Sequence, residues 1–222
     1  MQDKENSSLP VLAILGGTGK EGPGLALRWA SAGYPVIIGS RQLEKAQRTA
    51  EELNEILGIS SIQGMDNSSA ARAAELCVLT VVHTAHQPMV ESLRSDLQGK
   101  ILVDTTARVD FRNPKPPAPP SAARMAQDKL GPEVHVVAAL QNVPAFSLKE
   151  NLGGELDADV LVCADQLASA EKVMSLIEGA GMHAYYAGDL DNAVVVEGLT
   201  SILISLNRHY SIKTASIGVT GL

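Results

Sequence analysis

The sequence lacks an excess of positive charge. Its 18 lysines and arginines are outnumbered by 25 aspartates and glutamates, so the formal net charge is -7 at pH 7. Because nucleic acids and acidic membrane surfaces select chains rich in lysine and arginine, we expect no nucleic-acid partner and no membrane partner. Any anionic small-molecule ligand must then be met by local positive charge.

Long apolar runs are also missing. No stretch approaches the roughly 18 uninterrupted apolar residues of a membrane span. The first eight residues, MQDKENSS, are polar and lack the apolar centre of a signal peptide. We therefore expect a cytoplasmic protein.

Cysteine is scarce, and no cluster has the spacing of a metal site. Cys77 and Cys163 both lie in apolar, strand-like runs, which favours buried free thiols over a disulfide. His83 and His86 are three residues apart but have no third ligand nearby in the sequence. We expect no bound metal.

Short apolar runs alternate with helical patterns along the chain, which is typical of βα units around a parallel sheet. Helical patterns include 24–33 and 43–58, the second closing on Gly58. The pattern predicts a doubly wound, mainly parallel α/β sheet of the Rossmann type. Its strands are predicted within residues 10–16, 35–39, 60–65, 77–83, 100–106, 134–140, 157–165 and 182–188.

Two later segments differ from this rhythm. Residues 113–121, NPKPPAPPS, contain five prolines, which predicts an extended loop either near the ligand crevice or on plain surface. After residue 150 we expect a small C-terminal α/β portion that ends in a long apolar helix over 189–210. Because that helix is apolar on more than one face, we expect it to be buried between domains or against a second subunit.

The stretch ILGGTGKEGPGLALRWA contains the pattern Gly17-x-Gly19-x-x-Gly22 directly after a strand and before a helix. Glycines at these positions let the backbone approach a pyrophosphate, whose charge is met by amides at the helix N-terminus. The pattern predicts dinucleotide binding by Gly17, Thr18, Gly19, Lys20, Glu21 and Gly22.

The next strand ends in Gly39-Ser40-Arg41, where an NAD-binding sheet carries an acid that bonds the ribose 2′-hydroxyl. The guanidinium of Arg41 suits a 2′-phosphate, Ser40 adds a hydroxyl, and Lys45 adds a second charge one turn further on. We therefore predict NADP(H) as the cofactor.

The exits of later strands are polar but offer little catalytic chemistry. They carry His83 and His86, which we interpret as lining of the crevice or surface, then Asp104, and then Gln141, Asn142 and Val143. No serine-histidine-aspartate order or carboxylate pair appears, so we predict no catalytic side chain. Hydride exchange between two heterocyclic rings demands mainly that the rings be held face to face.

The chain resembles the F420H2:NADP⁺ oxidoreductases, the NADPH-dependent reductases of coenzyme F420. The resemblance runs through LAILGGTGKEGPGLALRWASAGYPVIIGSRQLEKA, VVAALQNVPA, DVLVCAD and the terminal VEGLTSILISLNRHYSIKTASIGVTGL, and so covers nearly the whole chain. It implies a homodimer that passes a hydride between NADP and the deazaflavin ring of F420.

The same resemblance implies roles for particular residues. Thr18, Ser40, Arg41 and Lys45 match NADP-binding positions, and the block around Gln141, with the C-terminal helix, borders the deazaflavin. It implies an NADP-binding domain over 9–150 and a small domain over 151–222 that carries deazaflavin and dimer contacts. The family often has histidine where this chain has Gln141. Candidates for the anionic tail of F420, or simply for solvated surface charge, are Arg108, Arg112, Lys115 and Arg124.

Two other functions stay open at this point. An NADP-dependent reductase of a small imine or carbonyl compound would need a proton donor such as Lys149 or His83. A non-catalytic NADPH sensor would bind the nucleotide without consuming it.

Overall fold

In a computed structural model that describes residues 9–222, the chain forms one eight-stranded sheet with helices on both faces. The strand order is β3-β2-β1-β4-β5-β6-β7-β8, and the first six strands are parallel to one another. The order reverses between β1 and β4. This is the doubly wound α/β arrangement that the sequence predicts, and its switch point places a ligand crevice beyond the carboxyl ends of β1 and β4.

Each of the eight predicted runs overlaps a strand, and β2, β3 and β4 each extend one residue outside the predicted runs. The strands are β1 Leu12–Leu15, β2 Val36–Ser40, β3 Gln63–Asp66, β4 Leu76–Leu79, β5 Ile101–Asp104, β6 His135–Ala138, β7 Asp159–Ala164 and β8 His183–Tyr186. The α-helices are α1 Gly22–Ser31, α2 Leu43–Leu57, α3 Asn67–Ala73, α4 His83–Ser92, α5 Ala122–Leu130, α6 Leu167–Gly179 and α7 Ala193–His209. Single 3-10 turns occupy Ser147–Lys149 and Leu190–Asn192.

The central strands are buried on both faces because helices cover both sides of the sheet. Every residue of β1 and β4 is buried, and two separate apolar clusters fill the layers above and below. Successive residues of a strand supply opposite clusters: Leu12 and Ile14 belong to one, Ala13 and Leu15 to the other. Cys77 and Cys163 are free and buried, as predicted.

The C-terminal portion continues the same sheet. Strand β7 pairs antiparallel with β6, and β8 then pairs parallel with β7. Buried Arg28 of α1 ties the two portions together, because its guanidinium donates to the carbonyls of Leu148, Glu150, Gly154 and Ala180. The indole of Trp29 adds a bond to the Leu176 carbonyl in α6. The polar start MQDKENSS, on which we expected no signal peptide, lies outside the described residues.

Helix α7 buries one face and exposes another. Among the described residues it is the one helix that, together with the turn before it (Leu190–His209), is long and apolar enough to span a membrane by length and composition, and a third of that window is buried. Its buried face carries Glu197, while Val195 and Ile202 are exposed at 65% and 54%.

The proline-rich segment lies against α7. The guanidinium of Arg108 donates to the Ala118 carbonyl, and Pro116 lies so close to Gly198 that an added Cβ there would be 3.4 Å from the proline ring. These contacts with Arg108 and α7 hold the backbone of the proline-rich segment in one conformation.

Our sequence interpretation of the region after β4 was wrong. The strand ends at Leu79, and His83 and His86 belong to α4 rather than to a loop at the strand exit. Two successive apolar residues after Thr80, Val81 and Val82, made the strand look longer than it is. His83 is exposed at the start of α4, whereas His86 is buried in the interior.

Candidate functional site

The glycine pattern forms a tight turn between β1 and α1. The Gly17 amide donates to the carbonyls of Ile14 and Gly39, and Gly16 has a positive φ of 71°. A Cβ at Gly22 would collide with the backbone of Gly17. The turn therefore brings backbone amides to the start of α1 with no side chain above them, which is a cradle for a pyrophosphate.

A residue outside the glycine pattern anchors the turn. The side-chain oxygen of Asn67, at the start of α3, accepts a 3.0 Å hydrogen bond from the Gly16 amide. A Cβ at Gly39 would lie 2.8 Å from the same oxygen. Asn67 is buried, and the one sequence signal for it is its position directly after β3, at the N-terminus of a helix.

Ser40, Arg41 and Lys45 lie beside this turn, at the end of β2. Ser40 is buried and its hydroxyl accepts a 3.2 Å bond from the Gln42 amide. Arg41 and Lys45 are exposed, and neither side chain forms an ion pair or hydrogen bond within residues 9–222. We call residues 16–22 together with 40–45 the nucleotide edge; Arg41 and Lys45 are two exposed cations next to its glycine turn, and Lys20 within the turn is a third.

The exits of β5 and β6 are built from buried polar side chains. Asp104 is fully buried, and its Oδ2 lies 2.6 Å from Nε2 of His86. Its other carboxylate oxygen accepts from the Thr106 amide at 3.0 Å. Residues 104–106 and 141–143 form what we call the inner crevice.

Three polar atoms of the inner crevice are orphaned. The hydroxyl of Thr106 and the amide oxygens of Gln141 and Asn142 are buried without a hydrogen-bond partner in the described part of the chain. The large majority of buried polar side-chain atoms in native proteins have a hydrogen-bond partner, so each orphaned atom calls for an explanation. Three such atoms at adjacent strand exits fit the donors and acceptors of a polar ring bound there.

The side-chain amide nitrogens of Gln141 and Asn142 are held by hydrogen bonds. Gln141 donates to the Asp104 carbonyl at 3.0 Å, and Asn142 donates to the Val196 carbonyl and the Thr200 hydroxyl of α7, both at 3.0 Å. Val143 follows, 8% exposed. The orphaned oxygens therefore have defined orientations, and α7 forms one wall of the crevice.

A second buried carboxyl, Glu197, belongs to α7 itself. Glu197 of α7 accepts from the Arg108 guanidinium at 3.0 Å and from the Ala122 amide. Burial raises the pKa of Glu197, and these two bonds act in the opposite direction. Arg124 is likewise paired with Asp165 at 2.7 Å.

Of the four cations considered for the tail of F420, Arg108 and Arg124 are thus held by carboxylates. Arg112 and Lys115 are exposed in the proline-rich region, and their side chains form no ion pair within residues 9–222.

Glu21 joins the glycine turn to the inner crevice. It is the residue before α1, its side chain makes no bond to the amides of that helix, and its Oε2 lies 3.2 Å from the Thr105 hydroxyl. The residue is partly exposed, but burial of the carboxyl group raises its pKa to about 8; the Thr105 hydroxyl lowers it and nearby Asp104 raises it further.

The remaining predicted residues stand at the rim. Thr18 is partly buried within the turn, whereas Lys20 and His83 are exposed. Lys149 is exposed on the 3-10 turn after β6. Among residues 9–222 no group of three or more histidine, cysteine, aspartate or glutamate side chains is placed to hold a metal ion.

A glycine turn at the switch point of a parallel sheet, with cations at the neighbouring strand end, defines the class: a dinucleotide-binding oxidoreductase of the Rossmann type. Residues 11–108 match the model of a family described as NADP oxidoreductase, coenzyme F420-dependent.

Relatives extend the match over nearly the whole chain. The F420-dependent NADP reductase of Methanothermobacter thermautotrophicus is 36% identical over 221 residues, which covers 95% of each chain. That of Methanocaldococcus jannaschii is 36% identical over 227 residues and covers 95% of this chain and 98% of the relative. A crystal structure from Arthrobacter sp. FB24, provisionally assigned as an F420-dependent NADP reductase, has a TM-score of 0.80 at 25% identity and covers 96% of this chain and all of that one. The chain belongs to the coenzyme F420-dependent NADP oxidoreductase family.

Proposed function

We propose that the chain transfers a hydride between NADP(H) and the deazaflavin coenzyme F420. The observation that carries this function is the pairing of the glycine turn with Ser40 and Arg41 at the adjacent strand end, in a chain of this family. The nucleotide edge has the groups that a 2′-phosphorylated dinucleotide needs, and the inner crevice has orphaned polar atoms for a second ring.

We assign NADP(H) to the nucleotide edge. The residues that would bind it are Gly17, Thr18, Gly19, Lys20, Glu21, Gly22, Ser40, Arg41 and Lys45. Amides of the turn meet the pyrophosphate, while the planar fork of Arg41 meets the 2′-phosphate through charge-assisted bonds. Lys45, in the first turn of α2, adds charge at the same place.

We assign the deazaflavin to the inner crevice. Gln141, Asn142 and Val143 would border its ring, with exposed His83 at the rim between the two ligands. The nicotinamide and deazaflavin rings would supply the hydride chemistry between them, so the chain's own task is to hold both ligands in register and to keep water out. Buried, fixed side chains suit that task.

We also propose a homodimer formed through α7. Val195, Leu199, Ile202 and Leu206 recur at helical spacing and form one apolar stripe, of which Ile202 is 54% exposed. A second copy of the stripe is its matching partner, as expected for a two-fold interface. The NADP-binding domain would then comprise 9–150, and residues 151–222 would carry dimer and deazaflavin contacts. Two free thiols agree with a cytoplasmic location.

Arg41→Ala tests the assignment of NADP(H). Because a hydrogen bond to a charged group contributes about 1.5–3 kcal/mol, the variant should bind NADPH at least about tenfold more weakly and leave NADH nearly unchanged. Isothermal titration measures both affinities. Arg48→Ala, which removes an exposed arginine of α2, is the matched control. Equal losses for both dinucleotides would contradict the role of Arg41.

Hydride transfer is tested by mixing the protein with NADPH and oxidised F420 and following loss of the deazaflavin's visible absorbance, with NADH in parallel. Rapid bleaching with NADPH alone is expected. NADPH binding without bleaching would count against the reaction and favour a small-molecule acceptor or a sensor. In the first case Lys149→Ala should abolish turnover; under our proposal it should not.

Ile202→Glu tests the dimer, since a charge in the centre of an apolar interface is costly to bury. Light scattering should show the parent chain as a dimer and the variant as a monomer. Glu171→Gln, at an exposed position of α6, should leave the dimer intact.

A further inference from the structure

Glu21 is an acid in a place where an anion is expected to bind. It is the residue from which α1 begins, and a carboxylate at that position ordinarily accepts hydrogen bonds from the first helical amides. Here the side chain makes no such bond and turns towards β5 instead. Its charged form therefore gains no hydrogen bond from its own helix.

The contact between Thr105 and Glu21 depends on whether the Glu21 carboxyl group carries a proton. The Thr105 hydroxyl lies 3.0 Å from the Leu79 carbonyl and 3.2 Å from Oε2 of Glu21, and it has one hydrogen to donate. A carbonyl can only accept. When Thr105 donates to Leu79, the contact with Glu21 is a hydrogen bond only if Glu21 itself carries a proton. Both contacts are satisfied together only when the acid is neutral.

The charged neighbours act in the same direction. Asp104 is close enough to raise the pKa of Glu21, and it already has a partner in His86. Behind Asp104, Glu197 is paired with Arg108. Lys20, next to Glu21, is exposed, and no cation of the described chain lies within ion-pair distance of Glu21. No cation in the described part of the chain therefore compensates a charge on Glu21.

We propose that Glu21 is a neutral carboxylic acid in the dinucleotide complex, so that binding of NADP⁺ takes up a proton wherever Glu21 is ionised beforehand. The inference rests on the proposed position of the dinucleotide on the glycine turn. An ionised Glu21 would face the pyrophosphate with like charge, whereas a neutral one donates a hydrogen bond and leaves the amides to the phosphates. Glu21 is thereby a positioning residue whose proton is linked to binding.

The size of the linkage follows from the pKa of about 8. If the pyrophosphate raises that value by one further unit, NADP⁺ affinity should fall about fivefold to tenfold between about pH 7.5 and about pH 9.5. Near pH 8.5 about half a proton should be taken up per NADP⁺ bound. A phosphate monoester has its second pKa near 6, so the 2′-phosphate is fully ionised over this range and does not contribute.

Glu21→Gln keeps the shape of the neutral acid and removes its titration. We would measure NADP⁺ binding by calorimetry over this pH range, in pairs of buffers with different ionisation enthalpies, which gives affinity and proton uptake together. The parent chain should show both effects. The Gln variant should show no uptake and less than about a twofold change in affinity with pH. Glu133→Gln, at an exposed position far from the turn along the chain, should behave like the parent.

Thr105→Val supplies a second reading. It removes the hydroxyl that contacts Glu21, so the pH at which NADP⁺ affinity falls should move away from that of the parent and proton uptake near pH 8.5 should shrink, while Thr105→Ser should restore the parent profile. Identical uptake and pH dependence in the parent and in Glu21→Gln would overturn the inference. If that result came together with the expected loss in Arg41→Ala, the dinucleotide site would stand and only the proton linkage would fall. A chain that binds no NADP⁺ at any pH would overturn both.

Discussion

The nucleotide edge and the inner crevice both lie at the carboxyl ends of the parallel strands, a few strands apart, yet they are built differently. The nucleotide edge consists of backbone amides that no side chain covers and of exposed cations, Lys20, Arg41 and Lys45. The inner crevice consists of buried side chains whose polar atoms are either paired or orphaned, among them Asp104 and Gln141. The first suits a charged, flexible ligand, and the second suits a flat ring held in one orientation.

The difference teaches where binding energy and orientation come from. Exposed charges attract an anion but fix it weakly, since solvent and salt screen them. Buried hydrogen bonds are stronger in their low-dielectric surroundings and are directional. Glu21 connects the two regions, because its backbone is part of the glycine turn and its carboxyl group contacts Thr105 of the inner crevice.

The largest expected effect concerns the backbone of the nucleotide edge. In Gly22→Ala the new Cβ would collide with the Gly17 backbone, so the turn must open. Its amides would then no longer point at the pyrophosphate. Loss of one or two charge-assisted hydrogen bonds predicts about 100-fold weaker NADP⁺ binding, measured by calorimetry.

The control for this variant is another glycine-to-alanine change. Gly58 has a positive φ of 65° but nothing within 4 Å of an added Cβ. Gly58→Ala should lower the free energy of unfolding by about 1 kcal/mol and leave NADP⁺ affinity unchanged. Comparable affinity losses in both variants would show that the turn has no special role.

A smaller effect is expected in the inner crevice. Gln141→Met keeps the size of the side chain but removes the orphaned oxygen, so F420 should bind about tenfold more weakly while NADP⁺ affinity is unchanged. Equilibrium dialysis with each ligand measures the two affinities separately. Gln98→Met, at an exposed position, should alter neither. Weaker NADP⁺ binding in Gln141→Met would mean that the two regions are not separate sites.

The nucleotide edge could be predicted from the sequence because its geometry restricts residue type. A turn in which the backbone of Gly22 lies against that of Gly17 admits only glycine, and a strand end that faces a 2′-phosphate calls for a cation such as Arg41. The alternation of short apolar runs with helical patterns along the chain likewise predicted the eight strands. Local rules of this kind leave a mark at fixed spacing along the chain.

The contacts of the inner crevice could not be predicted from a pattern at fixed spacing, because they join residues far apart in sequence. The pairing of His86 with Asp104 depends on α4 beginning at His83, which the apolar run after β4 concealed. The four carbonyl contacts of Arg28 reach more than 100 positions along the chain. Patterns of residue type report which face of an element is buried, but not which distant backbone will meet it.

The smallest expected effect concerns folding stability and tests the titration of Glu21 without any bound ligand. The pKa of Glu21 is about 8 in the folded chain against 4.5 for an ordinary glutamate, so between these values the folded state holds a proton that the unfolded state has released. Folding stability contributed by this residue therefore falls as pH rises from 4.5 to about 8 and is level above that. Glu21→Gln removes the titration, so its free energy of unfolding relative to the parent should increase by about 1–2 kcal/mol between about pH 5 and about pH 8, a value reduced for partial exposure. Urea unfolding at each pH, without ligand, measures this difference, with Glu133→Gln as the control. A constant difference across the range would mean that Glu21 titrates as an ordinary exposed carboxyl and that the turn tolerates its charge.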